Sequence, residues 1–260
     1  MFQSLSASAS AAIDITTTSH APEADTLVRT TLPRLPLPDG GVRPAITTSR
    51  LVLRAFREDD LQALHVLRTQ PEVMVWTLQG RPDADLAATK KILDKHYVPP
   101  GTDGQRFQWA VCLRETGELV GFGGIVNFEG SGWGWPEAGY LFNKDFWGKG
   151  FATEFVRALL KEWESLEREV RDIKVDKRTA SGHAVIVGVE GNGEQVPVVK
   201  EQLVAVTAMS NAGSQNVLRK TGFEHIVTTK ARDTRLPGGT LIDLPTFRYF
   251  PEVTHTVPTN

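Results

Sequence analysis

The sequence predicts an α+β domain in which a mixed, mostly antiparallel sheet is flanked by helices. Three observations lead there. Leu51, Leu53 and Ala55 alternate with other side chains, as a half-buried strand requires. Residues 107–113 and 119–128 read as two strands joined by Glu115-Thr-Gly-Glu118, whose glycine suits a tight antiparallel turn. Phe151, Phe155, Val156, Leu159, Leu160, Trp163 and Leu166 recur at helical spacing, with Arg157, Lys161 and Glu164 off that stripe, so one helix face is built to cover a sheet.

The other elements follow in chain order. Ser, Thr, Ala and Pro dominate residues 1–45 and apolar residues show no sustained period, so this stretch is expected to be a disordered tail ending in a proline-rich linker. The first strand covers 50–56. Asp59 or Asp60 can cap a helix that carries Leu61, Leu64 and Leu67 on one face and stops before Pro71. A second helix is expected over 83–97, then the hairpin, a Gly/Trp-rich stretch at 131–135, and a short strand at 137–142. Beyond the long helix, an insert at about 176–200 reads as a poor hairpin, 184–189 with 196–199, around Glu190-Gly-Asn-Gly-Glu194. A strand at 202–208, a short helix at 212–220 ending at Gly222, and strands at 223–229 and 246–250 complete the order β-α-α-β-β-β-α-(insert)-β-α-β-β. One folded domain, 46–252, is expected, with a short tail at 253–260.

Composition excludes several classes. The chain has 260 residues, with 29 Lys and Arg against 31 Asp and Glu, so its formal charge of -2 offers no broad basic field for a nucleic acid. Cys112 is the single cysteine, which rules out an intrachain disulfide or a cysteine-rich zinc site and fits a reducing, cytoplasmic setting. The six histidines form no HxH or HxxxH pair, so no metal site is expected. No apolar run approaches a membrane span. The first Lys or Arg is Arg29, and Asp14, Glu23 and Asp25 are acidic, unlike secretory or mitochondrial targeting peptides.

Chemistry concentrates in Trp147-Gly-Lys-Gly-Phe-Ala152, which follows a strand and opens the long helix. Two glycines bring backbone close to a ligand, and the first-turn amides are unpaired donors at the positive end of the helix dipole, which together make a pyrophosphate cradle. The same glycines also ease a tight strand-to-helix turn with no ligand at all. Two generic phosphate motifs fail on spacing. A P-loop would need glycine at Asn143 and Ser or Thr at Gly150, and a dinucleotide fingerprint would need glycine at Thr153. A second segment, Asn211-Ala-Gly-Ser-Gln-Asn-Val-Leu-Arg-Lys-Thr-Gly-Phe223, lies further along.

Together the two segments resemble the GNAT superfamily of acetyl-CoA-dependent N-acetyltransferases. The first matches Q/R-x-x-G-x-G/A, with Gly150 and Ala152 in the small positions and Trp147 where Gln or Arg is usual. The second matches N-x-x-(A/S)-x-x-(L/V)-x-x-K-x-G-F, with Asn211, Ser214, Val217, Lys220, Gly222 and Phe223 in register. The resemblance spans about 48–252. Thr48-Ser-Arg-Leu-Val-Leu-Arg54, Phe146-Trp-Gly-Lys-Gly-Phe-Ala-Thr-Glu154 and the Asn211-x-x-Ser214 form are most similar to the Rim-type branch, which includes acetyltransferases of ribosomal-protein N-termini.

The resemblance implies a seven-stranded sheet splayed between its fourth and fifth strands, 138–142 and 203–208, with acetyl-CoA as cosubstrate in the opening. Tyr140, Leu141 and Phe142 would offer backbone to the thioester arm. Trp147, Gly148, Lys149, Gly150, Phe151, Ala152 and Thr153 would hold the pyrophosphate. Asn211 would bind the pantetheine arm, cap its helix, or both. Many members place a proton-donating tyrosine seven positions after that Asn; here the position is Leu218. Ser214 would reach the sulfur or the arm, or only bond its own helix backbone.

Transfer to an amine also needs a base, and Glu137 at the start of the fourth strand is the candidate, its alternative being an exposed strand-end acid. Trp76, Trp133 and Trp135 either line an acceptor pocket or plug the core. His183 and His225 read as surface or structural, and Cys112 as a small buried hydrophobe. The expected partners are acetyl-CoA and an amine acceptor, either a small molecule or a protein N-terminus, in a monomer or homodimer. The competing readings are an acyl-CoA-binding module without turnover and a nucleotide-binding protein. The insert shapes acceptor specificity or is a surface excursion.

Overall fold

The computed structural model describes residues 13–14, 25–37, 43–96, 107–128, 132–180, 184–185, 196–233, 235 and 239–252. In chain order the strands are β1 (Ile13–Asp14), β2 (Thr26–Pro33), β3 (Ile46–Thr47), β4 (Leu51–Arg54), β5 (Phe107–Leu113), β6 (Leu119–Asn127), β7 (Glu137–Phe142), β8 (Arg168–Val175), β9 (Ala184–Val185), β10 (Val198–Val199), β11 (Leu203–Val206), β12 (Glu224–Asp233) and β13 (Thr240–Tyr249). The helices are α1 (Leu61–Arg68), α2 (Pro71–Met74), α3 (Leu86–His96), α4 (Phe151–Ser165), α5 (Lys177–Ala180) and α6 (Ala212–Lys220).

The main sheet runs β1-β12-β13-β11-β7-β6-β5-β4-β3. Without the two-residue pieces β1 and β3 at its edges, it is the expected seven-stranded sheet, antiparallel at every pair except β7 with β11. That parallel pair meets at one point, Val204 opposite Glu137, where the Val204 amide donates to Pro136 O at 2.9 Å. Beyond it no further pair joins the two strands among the described residues, so the sheet opens as a V toward the end of β7.

Each face of the sheet has its own core. Phe155, Val156, Leu159, Leu160 and Trp163 of α4 and Leu218 of α6 pack on Trp109, Val111, Phe142, Leu203 and Ala205. On the other face, Leu64 and Leu67 of α1, Val73 of α2 and Leu93 of α3 cover Ala110, Cys112 and Phe122. Cys112 is buried, and burial pushes its thiol up, so it behaves as the small hydrophobe its position implied. Asp60 does stand at the N-cap of α1, but its carboxylate turns away from the helix amides to take both terminal nitrogens of Arg54, at 2.8 and 2.7 Å, and the Arg57 amide.

Two expectations are corrected. Residues 26–33 belong to no disordered tail: β2 pairs along its whole length with β8, from Thr26 opposite Val175 to Pro33 opposite Arg168, and buries Val28, Thr30 and Leu32. The three threonines that looked polar are β-branched and suit a pleated surface. The insert is also not a lone hairpin, because β9 and β10 pair antiparallel and β10 joins β2, giving a second sheet of order β8-β2-β10-β9. Trp133, Trp135, Val28, Val175, Ala180, Val199 and Val204 form the core beneath it. The last two strands also extend further than expected, to Asp233 and back to Thr240. The expected tail at 253–260, the expected hairpin loop at 190–194 and residues 186–189 before it lie outside the described residues.

A buried ion pair fastens the small sheet to the main one. Glu201 accepts from Arg168 Nε at 2.9 Å and from the Trp163 indole at 2.9 Å, with both charged side chains essentially without solvent contact. No helix among the described residues is long and apolar enough to cross a membrane, and no His/Cys/Asp/Glu group there is arranged to hold a metal ion.

Candidate functional site

Leaving β7, the chain makes a short turn at Lys144–Phe146 and enters α4 through Gly148 and Gly150, whose φ angles are +74° and +81°. Both lie in the left-handed region that glycine tolerates best. A Cβ at Gly148 would meet nothing within 4 Å, and one at Gly150 only Arg50 Nη2 at 3.4 Å, so the backbone here faces open space. Gly150 is the N-cap of α4 and no side chain caps it. The amides of Phe151, Ala152 and Thr153 form the first turn, where no intrahelical acceptor exists. A helix start that is open, uncapped and glycine-lined can receive an anion.

The loop is fixed from both sides. Trp147 stands where the family pattern has Gln or Arg, and its indole N–H donates to Phe142 O at 2.7 Å, which ties loop to strand end. The Trp147 amide already donates to Lys144 O, so of the seven predicted pyrophosphate residues this one has its backbone donor committed. Lys149 holds its ammonium over the Phe146 ring and its carbonyl accepts from Arg50 Nη1 at 2.9 Å. Arg50 also bonds Glu154 Oε2 at 2.7 Å and lies over the Phe151 ring. Glu154 gathers the Thr48 and Ser49 hydroxyls and the Arg50 amide as well. Burial opposes its charge, yet these donors outweigh that and hold its carboxyl down at about 2.

From Gly150 an open groove of about 870 Å³ continues along the outer side of α4, lined in part by Arg50, Arg157, Lys161 and Lys220. Sequence reading missed this groove, whose wall sets Arg50, Arg157, Lys161 and Lys220 beside Glu154 and Glu162. Arg157 and Lys161 signalled only the solvent side of an amphipathic helix, and nothing local to Arg50 indicated that it would lie against α4.

The other predicted residues divide between the two faces of β7. Side chains alternate along a strand, and Ala138, Tyr140 and Phe142 face the α4 side while Leu141 packs with α1 and its neighbours. Tyr140 is brought to the start of α6, its hydroxyl 3.1 Å from Ser214 Oγ and 3.4 Å from Ser214 O. Asn211 caps α6, its Oδ1 accepting from the Ser214 amide at 3.0 Å. Leu218 is buried in the core, so this helix presents no side-chain hydroxyl there.

Glu137, an odd number of residues from Tyr140, faces the opposite side, at the root of the V. The structure therefore does not bring Glu137 and Ser214 together; it places them on opposite faces of one strand. Burial pushes the Glu137 carboxyl up to about 7. Trp133 and Trp135 are core plugs, the latter fully buried and donating its indole N–H to Thr179 Oγ1 at 2.8 Å. Trp76 is partly exposed in a segment that Arg235 holds by bonds to Val75 O and Thr77 O, so the β12–β13 connection reaches across to the half of the sheet that carries α2. His225 bonds Thr228 at the surface, and His183 lies outside the described residues.

Comparison with known proteins places this geometry. Residues 50–224 match the family model described as an acetyltransferase (GNAT) domain. An uncharacterized N-acetyltransferase, p20, of Bacillus licheniformis is 29% identical over 113 residues, 44% of this chain and 62% of the relative, so the match spans under two thirds of that protein. A GNAT-family acetyltransferase structure from Bacillus anthracis superposes with a TM-score of 0.54 at 20% identity, covering 80% of this chain and 99% of the other. A spermidine N-acetyltransferase from Vibrio cholerae, in complex with CoA and spermine, gives 0.52 at 15% identity over 78% and 97%. These likenesses share the fold, and the family model covers both the glycine cradle and the Asn211 helix. The chain belongs to the GNAT acetyltransferase family.

Proposed function

We propose that the protein is an acetyl-CoA-dependent N-acetyltransferase that moves an acetyl group to a primary amine by direct transfer in a ternary complex. The observation that carries the reading is the open, uncapped glycine cradle at the head of α4, placed where β7 parts from β11. The amides of Gly148 to Thr153 would take the pyrophosphate, while the Trp147 amide is committed to Lys144 O. Asn211 and Ser214 would flank the pantetheine arm, and backbone of Tyr140 to Phe142 on the open side of β7 would polarise the thioester carbonyl by preorganised donors. Acetyl-CoA supplies the activated acyl group; the chain's own residues bind, orient and accept a proton.

Glu137 is the proposed base, taking the amine proton directly or through a water on the face opposite the hydroxyls. A carboxyl near 7 matches that task, since a base works best with a pKa close to the working pH. The acceptor class is a peptide N-terminus, as the Rim-type likeness implies, or a small amine such as the polyamine held by the Vibrio cholerae relative. One observation favours a second reading, an acyl-CoA-binding module without turnover: Leu218, buried, leaves the helix without the usual acid.

Ligand-dependent melting and thiol release test both. Acetyl-CoA at about a hundred times its Kd should raise the melting temperature by roughly 5–10 °C, whereas NAD and ATP should not. Gly150→Asp, which sets a carboxylate in the cradle, should remove that shift, while Gly150→Asn, with the same shape and no charge, should keep part of it. Thiol release with an amine panel then separates enzyme from binder, and no shift with any CoA species would exclude both.

A further inference from the structure

The contact between β7 and α6 has a chemical consequence. Tyr140 stands midway along the strand that borders the V, its ring against Phe142 and Phe155, and its hydroxyl reaches the first turn of α6. The room for that ring comes from β6. A Cβ at Gly123 would lie 2.7 Å from Tyr140 Cβ and 2.9 Å from Phe155 Cε1, so only glycine lets the tyrosine lie this close. Of the two acceptors near its hydroxyl, Ser214 O at 3.4 Å is the more distant and sits inside the helix, where it takes the amide four residues on. Ser214 Oγ at 3.1 Å is the better partner.

We propose that Tyr140 is a positioning residue for acetyl transfer: its hydroxyl donates to Ser214 Oγ and thereby turns the Ser214 hydroxyl hydrogen toward the opening between β7 and β11, where it meets the departing sulfur. A serine hydroxyl is a free rotor, and a fixed donor on its oxygen leaves its own hydrogen to point elsewhere. Burial pushes the Tyr140 phenol up to about 12, so it keeps its proton and remains a donor throughout the working range. The inference rests on the acetyltransferase reading. In the step, the C–N bond forms as the C–S bond breaks, the amine nitrogen gives its proton to the Glu137 carboxylate and on to water, and the sulfur leaves as a thiolate steadied by the Ser214 O–H, taking a proton from water on release. A strand tyrosine thus serves, through serine, the position that Leu218 leaves without a hydroxyl.

The test is a double-mutant cycle in the full chain, measured by thiol release from acetyl-CoA with the most active amine of a panel containing spermidine and peptides that begin with Ser or Ala. Ser214→Ala and Tyr140→Phe should each lower kcat by roughly ten- to a hundredfold, and Tyr140→Phe should leave KM for acetyl-CoA and its stabilising effect on melting unchanged. The double variant should be no slower than Ser214→Ala alone, because Tyr140 acts through that hydroxyl. Ser214→Thr should retain most of the rate. If the two losses multiply, or Tyr140→Phe turns over like the wild type, the proposal is overturned while the enzyme reading stands. If the wild type neither binds nor turns over acetyl-CoA, both fall together.

Discussion

Burial pushes the Glu137 carboxyl up to about 7, and the sign of that displacement dictates two pH profiles. Below about 7 the group is a neutral acid and cannot take a proton, so kcat/KM should rise with pH through this range and level off above it. Glu137→Gln should flatten the inflection and lower kcat by about 10²- to 10⁴-fold; an unchanged profile from pH 6 to 9 would assign the proton to another group. Stability moves the opposite way. The folded state holds a proton that the unfolded chain releases near the ordinary carboxylate value, so the wild type should lose stability as pH climbs from about 4.5 to 7. The Gln variant should escape that loss, and its melting temperature should gain on the wild type between pH 5 and 8. Residues carried by contiguous motifs were legible at this scale: Gly150 and Asn211 are defined by neighbours in the chain. The hydroxyl contact of Tyr140 with Ser214 was not, since it joins positions 74 residues apart and depends on a glycine in a third strand.

Among elements, the junction of the β3–β4 corner with α4 is the tightest local knot near the cradle. Glu154 accepts from Thr48, Ser49 and Arg50 together and is held at about 2, so its contribution to stability is complete above about 4.5 and disappears as pH falls toward 2. Arg50 is about half exposed, and solvent screening leaves roughly 1 kcal/mol of that interaction. Glu154→Gln should cost about that much at pH 7, and chemical denaturation should show the difference shrinking toward pH 3. Because Arg50 also braces the Lys149 carbonyl, the variant should weaken acetyl-CoA binding as well. Helix α4 itself was readable almost to the residue, because its apolar stripe repeats over four turns. Strand β8 was not: Arg168, Glu169, Arg171, Asp172 and Lys174 obscure its few apolar positions, and the strand is specified by its partner β2 rather than by a period of its own.

Across the whole molecule, two sheets share one chain segment, since β11 turns Leu203 and Ala205 toward α4 and Val204 toward the small sheet. The small sheet cannot exist without β2, its second strand, which bonds β8 on one side and β10 on the other. Removing residues 1–34 should therefore cost about 3–6 kcal/mol from the burial of Val28 and Leu32 alone and lower the melting temperature by roughly 10 °C or more. A truncated chain that melts within 2 °C of the full one would show that β2 is dispensable. The sevenfold main sheet and its splay were legible because the GNAT pattern spans them; the added sheet takes β2 from before that span and β8, β9 and β10 from between its two motifs, and these strands are distant and weakly patterned. The pairing of β2 with β8 also sets a clock for synthesis. Thr26 emerges early, but its partner Val175 follows only after roughly 150 further residues, which at about 5–20 residues per second is roughly 7–30 s. Until then Val28 and Leu32 lack the β8 partner they pair with in the finished fold, so the burial of β2 belongs to the late part of folding.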